Sequence, residues 1–152
     1  MGEVLGRRLR QSSFESCEQE AMLNLFVSAN HLRRHLNTLL ARFGITLTQY
    51  NVLRILKGVH PDGHPRCDII ARMLEPAPDV TRLLDRLEKH RLVERTGSRG
   101  DGRMSLARIT PKGIRLLKEV HPQMNRFQEQ AFGTLSEQEC LELSKLCEKI
   151  YI

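Results

Sequence analysis

Residues 79–113, DVTRLLDRLEKHRLVERTGSRGDGRMSLARITPKG, constrain the fold more tightly than any other stretch of this chain. Val80, Leu83, Leu84 and Leu87 recur at i, i+3, i+4 and i+7, the spacing of an amphipathic helix, while Thr81, Arg82, Asp85, Arg86 and Lys89 point elsewhere. Two strand-like runs follow at once, LVERT and MSLARIT, with a Gly-rich turn between them that reads as a hairpin over residues 92–109. Thr110 can then cap a new helix, with Pro111 at its first position, where a missing N–H costs nothing. A helix running straight into a hairpin and then into another helix allows a mainly α fold with a small β-hairpin.

The hairpin also carries charge that turn formation does not require. Residues 91–108 hold five arginines against two acids, and the formal charge of the 152-residue chain is +6. Arg99 and Arg103 flank Asp101 at the turn, and like charges crowded on a loop favour an anion opposite them. The basic balance alone fits nucleic acid, an anionic membrane or an acidic protein. At 40% hydrophobic and 28% charged residues, the composition is that of a globular chain.

Upstream, apolar residues from Phe14 to Phe43 (Phe14, Cys17, Ala21, Leu25, Leu32, Leu36, Leu39, Phe43) predict one long helix that Gly44 stops. TLTQYNVLRILKG predicts another, with Thr48 as N-cap and Gly58 as end, and VHPDGHPR, residues 59–66, reads as a loop. CDIIARML and DVTRLLDRLEKH predict two short helices separated by EPAP. After Thr110 the helical face continues through Ile114, Leu117, Met124, Phe127 and Ala131, with Pro122 expected to kink or split it. Ser136 and Glu139 form a capping box, and Leu143, Leu146, Cys147 and Ile150 line the last helix.

Two short helices followed by a basic hairpin give the order of a winged helix-turn-helix, in which the second helix enters the major groove and the hairpin, the wing, reaches the adjacent backbone or minor groove. Pro78, Asp79, Thr81, Arg82, Arg86, Arg99, Asp101 and Arg103 are the candidate DNA-binding residues. Arg82 and Arg86 lie one turn apart and can approach phosphates or guanine edges together. Asp101 can orient one neighbouring guanidinium. A solvated helix face paired with Asp85 and Glu88 is the bland alternative for the two helix arginines. A winged-helix protein-interaction module, with the basic hairpin on an acidic surface, is the rival function.

DVTRLLDRLEKHRLVER, the Asp101-Gly102-Arg103 wing and ARITPKG strongly resemble the MarR family of bacterial transcription regulators. The resemblance is specific over residues 66–113 and rests elsewhere on the helical segments. It implies a single 1–152 domain: residues 14–43 and 111–152 are dimerisation helices flanking a winged helix-turn-helix part at 45–110. It also implies a homodimer on a pseudo-palindromic promoter operator, commonly relieved by a ligand or oxidant; four cysteines without CxxC spacing, in a sequence with no signal-peptide pattern, add the expectation of a cytoplasmic protein with reduced thiols. The sequence departs from the family pattern at Arg91, where many members have Gly and where a left-handed backbone is expected, and at Gly102 in the wing.

His31, Arg34, His35 and Tyr50 are the candidates for a small aromatic or anionic effector of the kind the resemblance implies. Cys17 is the residue on which a redox-responsive reading would rest, but Glu15, Glu18 and Glu20 surround it and oppose a reactive thiolate. His60, His64 and Cys67 have metal-capable spacing in a loop with no clear fourth ligand, so no metal and no cofactor are expected. Cys140 and Cys147 read as core residues. Nucleophile elbow, P-loop and HExxH patterns are absent, as are a signal peptide and a membrane-spanning run, so neither an enzyme nor a membrane protein is expected.

Overall fold

The computed structural model describes residues 2–75, 79–97 and 105–151. Its elements are α1 (Glu3–Leu9), α2 (Cys17–Ala41), α3 (Leu47–Gly58), β1 (His64–Pro65), α4 (Arg66–Ala71), α5 (Val80–Lys89), β2 (Val93–Thr96), β3 (Leu106–Ile109), α6 (Pro111–Phe132) and α7 (Glu137–Tyr151). The chain forms two compact units, one up to Thr38 and the other from Leu39 onward.

In the first unit, α1 lies outside the periodicity that begins at Phe14. It forms because Leu5 finds a buried position, and the Gly2 amide donates to the Glu20 carboxylate. The long helix starts at Cys17 rather than Phe14. Ser16 Oγ accepts the Gln19 amide at 3.2 Å and Gln19 Oε1 accepts the Glu15 amide at 2.9 Å, so the capping groups set the boundary, not the apolar spacing.

The second unit holds the core: Leu40, Ile45, Val52, Leu53, Leu56, Ile69, Val80, Leu84, Leu87, Leu92, Val93, Ala107, Ile109, Leu117 and Val120. Helix α3 begins two residues earlier than Thr48 would place it, with Thr46 as its N-cap. Thr46 Oγ1 accepts the Gln49 amide at 3.2 Å and Gln49 Oε1 accepts the Thr46 amide at 2.9 Å, a complete capping box. The segment expected as loop contains β1, which pairs antiparallel with β3 through His64↔Ala107 and Pro65↔Leu106, giving a three-stranded sheet in the order β1-β3-β2. Gly63, at φ +83°, makes this approach possible, since a Cβ there would sit 2.5 Å from the Ala107 carbonyl oxygen. Strands β2 and β3 pair from Val93↔Ile109 to Thr96↔Leu106, the base of the expected hairpin.

Helix α5 ends in a Schellman motif: the Leu92 amide bonds the Leu87 carbonyl at 3.0 Å and the Arg91 amide bonds the Glu88 carbonyl at 2.8 Å. Arg91 occupies the left-handed position of that motif, at φ 59°, as its place before LVER suggests. At the far end of the hairpin base, Thr110 caps α6 by accepting the Gly113 amide at 3.1 Å, and its own amide donates to the Leu92 carbonyl at 3.1 Å. Gly113 is needed there: a Cβ would stand 2.4 Å from the Leu92 oxygen.

Pro122 does not split α6, which is continuous from Pro111 to Phe132. Buried Val120 before it and half-buried Met124 after it pack on the same core, and that packing holds the helix through the missing hydrogen bond. The Ser136–Glu139 capping box forms, with the Ser136 amide donating to Glu139 Oε2 at 2.8 Å. Helix α7 buries none of its residues, so Cys140 and Cys147 are half-buried rather than core. No described helix is long and apolar enough to cross a membrane.

Candidate nucleic-acid interface

Helices α4 and α5 with the strands behind them form the candidate site. Val80, Leu84 and Leu87 are buried, so the helical period turns Thr81, Arg82, Asp85, Arg86 and Lys89 outward. Asp79 is the N-cap of α5. Its Oδ1 accepts the Arg82 amide at 2.9 Å while Oδ2 lies 3.0 Å from Arg82 Nε. The Arg82 guanidinium remains largely exposed, at 79%, and projects from the first turn of the helix.

The acids of α5 are engaged elsewhere. Asp85 and Glu88 both meet Arg95 of β2, with Arg95 Nη2 at 2.6 Å from Asp85 Oδ1 and Arg95 Nε at 3.0 Å from Glu88 Oε2. The hydrogen bond to Glu88 raises the Arg95 pKa above its ordinary value, against an opposing push from partial burial, and Asp85 adds to the rise. The fork-to-carboxylate geometry ties the base of the wing to the recognition helix. Arg86 consequently has no ion pair among the described residues, unlike the solvated pairing with Asp85 and Glu88 that spacing alone allows.

Three of the five arginines in residues 91–108 have roles within the described structure. Arg91 occupies the helix-ending turn, Arg95 holds the two acids, and Arg108 Nε donates to the Asp62 carbonyl at 3.0 Å, fastening the segment before β1. Arg99, Asp101 and Arg103, with Pro78, lie outside the described residues. One residue escapes the sequence reading: Arg66, at the start of α4, donates from Nη1 to Thr81 Oγ1 at 2.9 Å. This bond joins the first helix of the motif to the second and presents a further guanidinium beside Thr81. Its one signal in the sequence is a cation at the first position of α4.

The effector candidates are distributed over both units. His31, Arg34 and His35 are exposed on α2, where the two histidine rings stand 4.3 Å apart and His35 Nδ1 bonds the His31 carbonyl at 2.9 Å. Tyr50 is half-buried on α3 against the core of the second unit. Cys17 is exposed at the start of α2 beside Glu18, whose carboxyl is held below its ordinary range by hydrogen bonds, that from Ser16 foremost. His64 is buried, with Nδ1 3.5 Å from Asp68 Oδ2 and Nε2 unpartnered among the described residues. Among those residues, no three His, Cys, Asp or Glu side chains gather as a metal cluster.

A helix pair whose second member is capped, amphipathic and cationic outside, backed by a three-stranded sheet with a two-strand wing, is the winged helix-turn-helix of DNA-binding proteins. Sequence comparison then narrows the class. A model of the MarR family matches residues 43–104. The HTH-type transcriptional regulator MhqR of Bacillus subtilis (strain 168) is 31% identical over 133 residues, covering 83% of this chain and 90% of the relative. This chain belongs to the MarR family and is a DNA-binding transcription regulator.

Solved structures agree. A MarR transcription factor from Planctomyces limnophilus superimposes with a TM-score of 0.69 at 34% identity, covering 90% of this chain and 98% of that one. MepR of S. aureus, solved as a DNA complex, gives a TM-score of 0.72 at 26% identity over 84% of this chain and 93% of its own.

Proposed function

We propose that the protein is a cytoplasmic, ligand-responsive repressor that binds a pseudo-palindromic promoter operator as a homodimer. The observation that carries the reading is the outer face of α5, where Thr81, Arg82 and Arg86 stand free of the core while the neighbouring acids are drawn off by Arg95. Arg82 and Arg86 approach phosphates and base edges in the major groove, Asp79 sets the helix start with Pro78 before it, and Arg99 and Arg103, one of them oriented by Asp101, serve the minor groove.

Dimerisation is supported by the apolar surface that one chain leaves open. Helix α7 exposes Leu141, Leu143, Leu146 and Ile150, and α2 exposes Met22 and Phe26, more than a lone soluble chain ordinarily presents. A second copy covers such faces symmetrically and sets two recognition helices about 34–36 Å apart, one turn of DNA. Residues 14–43 and 111–152 are the dimerisation segments in this reading, and 45–110 the DNA-binding part. His31, Arg34, His35 and Tyr50 are the effector candidates carried from the sequence.

Fluorescence anisotropy against the DNA upstream of the protein's own gene, with a random duplex as control and at two salt concentrations, tests the reading. Tight binding that prefers the upstream duplex and weakens steeply with salt is expected. Equal, weak binding to both duplexes would redirect the basic face toward a protein partner. Light scattering on the same samples reads the dimer.

A further inference from the structure

Arg66 and Thr81 meet across the turn of the motif from two positions that the fold holds still. Pro65 pairs with Leu106 of β3 and sets the entry to α4, and Ile69, in that helix, is fully buried. Thr81 stands in the first turn of α5, which Asp79 caps and buried Val80 anchors. Arg66 Nη1 donates to Thr81 Oγ1 at 2.9 Å, and both residues are exposed. We propose that Arg66 and Thr81 act as one unit that grips a single backbone phosphate of DNA, the guanidinium bringing charge from α4 and the hydroxyl a directed donor from α5.

The bond fixes what each group offers. A threonine hydroxyl can accept through its lone pairs and donate its single hydrogen. With Arg66 donating to the oxygen, the hydrogen turns away from the guanidinium, and the hydroxyl meets an incoming oxygen as a donor. Arg66 uses one N–H on Thr81 and keeps the rest of its planar fork, a shape suited to phosphate. It makes no ion pair among the described residues: Asp68, the acid of α4, meets His64 and Arg72, and Asp79 meets Arg82. A cation that no acid offsets, beside a hydroxyl already directed outward, selects an anion with more than one oxygen. The positive end of the α5 dipole adds to the attraction. Holding a long side chain in place before binding also lowers the entropy lost when the phosphate arrives.

The pair gives α4 a part in DNA contact separate from that of Arg82 and Arg86. Phosphate contacts set the register and orientation of a protein on the duplex. Arg66 therefore helps to fix how α5 enters the groove, and it does so through Thr81 as well as by its own charge. The assignment deepens the reading of α5 as the DNA-facing helix and rests on that reading.

The test is fluorescence anisotropy with the full-length protein on a random duplex and on the duplex from upstream of its own gene, across a series of salt concentrations. Arg66→Met should bind both duplexes on the order of tenfold more weakly, with a log–log salt slope shallower by about 1, the mark of one lost phosphate contact. Arg66→Lys keeps the charge and should keep the slope. Thr81→Val should weaken binding roughly threefold in the wild-type background and hardly at all in Arg66→Met, because the two groups act together. A bond that only joined the helices would lower the melting temperature of Arg66→Met and leave the salt slope where it was. An unchanged slope in Arg66→Met would overturn the proposal. So would a loss confined to the upstream duplex, which marks a base contact, or losses that simply add in the double variant. Wild-type protein that binds neither duplex would overturn the reading of α5 and this proposal with it, whereas salt-sensitive wild-type binding matched by Arg66→Met would overturn this proposal alone.

Discussion

Arg95 on β2 bonds Glu88 on α5 through both Nε and Nη2, and the same Nη2 reaches Asp85 one turn earlier. One guanidinium therefore engages two carboxylates beside the face of α5 proposed to meet DNA and offsets one of their two charges. Replacing it with a neutral chain of similar length, Arg95→Met, should cost about 0.5–1 kcal/mol of stability, because the network is partly exposed. It should weaken operator binding on the order of tenfold, because two unpaired acids then stand beside the DNA backbone. Adding Asp85→Asn and Glu88→Gln should restore most of the affinity. Anisotropy of the single and triple variants reads this directly, and a triple variant as weak as the single one would contradict the neutralising role.

Asp79 joins two roles that substitution can separate. Asn at this position still caps the helix, whereas Ala does not, so Asp79→Ala should lose about 1 kcal/mol and Asp79→Asn much less. Asp79→Asn also releases Arg82 from its ion pair and removes a negative charge from the end of α5 proposed to face DNA. Tighter binding to random duplex with a steeper salt dependence is the expected result. Unchanged salt dependence would place Arg82 outside the phosphate contacts.

Arg91 holds a left-handed backbone at φ 59°, a conformation glycine adopts without the Cβ penalty. Arg91→Gly should stabilise the protein by about 1 kcal/mol, raising the melting temperature by roughly 2–4 °C for a chain of this size, since none of the hydrogen bonds of the turn involves the side chain. Thermal melts at matched protein concentration provide the measurement. A fall in stability would mean that the Arg91 side chain makes a contact worth more than the backbone strain.

Glu139 gives a pH dependence with a defined sign. Hydrogen bonds from the Ser136 amide, and next from its hydroxyl, hold its carboxyl below the ordinary value of 4.5. A depressed folded pKa means that the stabilisation is complete above 4.5 and is lost as pH falls through the lowered value. Glu139→Gln should therefore be less stable than wild type at neutral pH, and the gap should close in acid. A gap that persists in acid, followed by circular dichroism, would deny the carboxylate this role.

The parts of the fold readable in the sequence are those set by local rules. The apolar face of α5, the cap and proline at the start of α6 and the Ser136 capping box all depend on residues within one or two turns of each other, while the left-handed Arg91 is legible only through the family resemblance. Where local signals compete, spacing alone is insufficient: Thr46 and Thr48 are both fair caps, and Gln49 decides between them by completing a box with Thr46. Strand β1 is not readable, because a two-residue strand in a His-Pro segment exists only through pairing with β3, forty residues on. The Arg95 clamp and the Arg66–Thr81 bond escape for the same reason. Each joins elements that become neighbours only after folding, and a list of charges cannot say which arginine faces an acid and which faces outward.

The Leu92 carbonyl is a fixed point in both directions along the chain: it receives the Thr110 amide, and Gly113 packs against it with no room for a methyl group. With the pairs from Val93↔Ile109 to Thr96↔Leu106, it locks the two ends of the hairpin in register. Insertions or deletions below Thr96 and Leu106 would shift every pair and break that lock, whereas changes in length beyond them leave it untouched. Between those two residues, therefore, descendants of this protein can change length in single evolutionary steps without first having to rebuild the sheet that carries the segment.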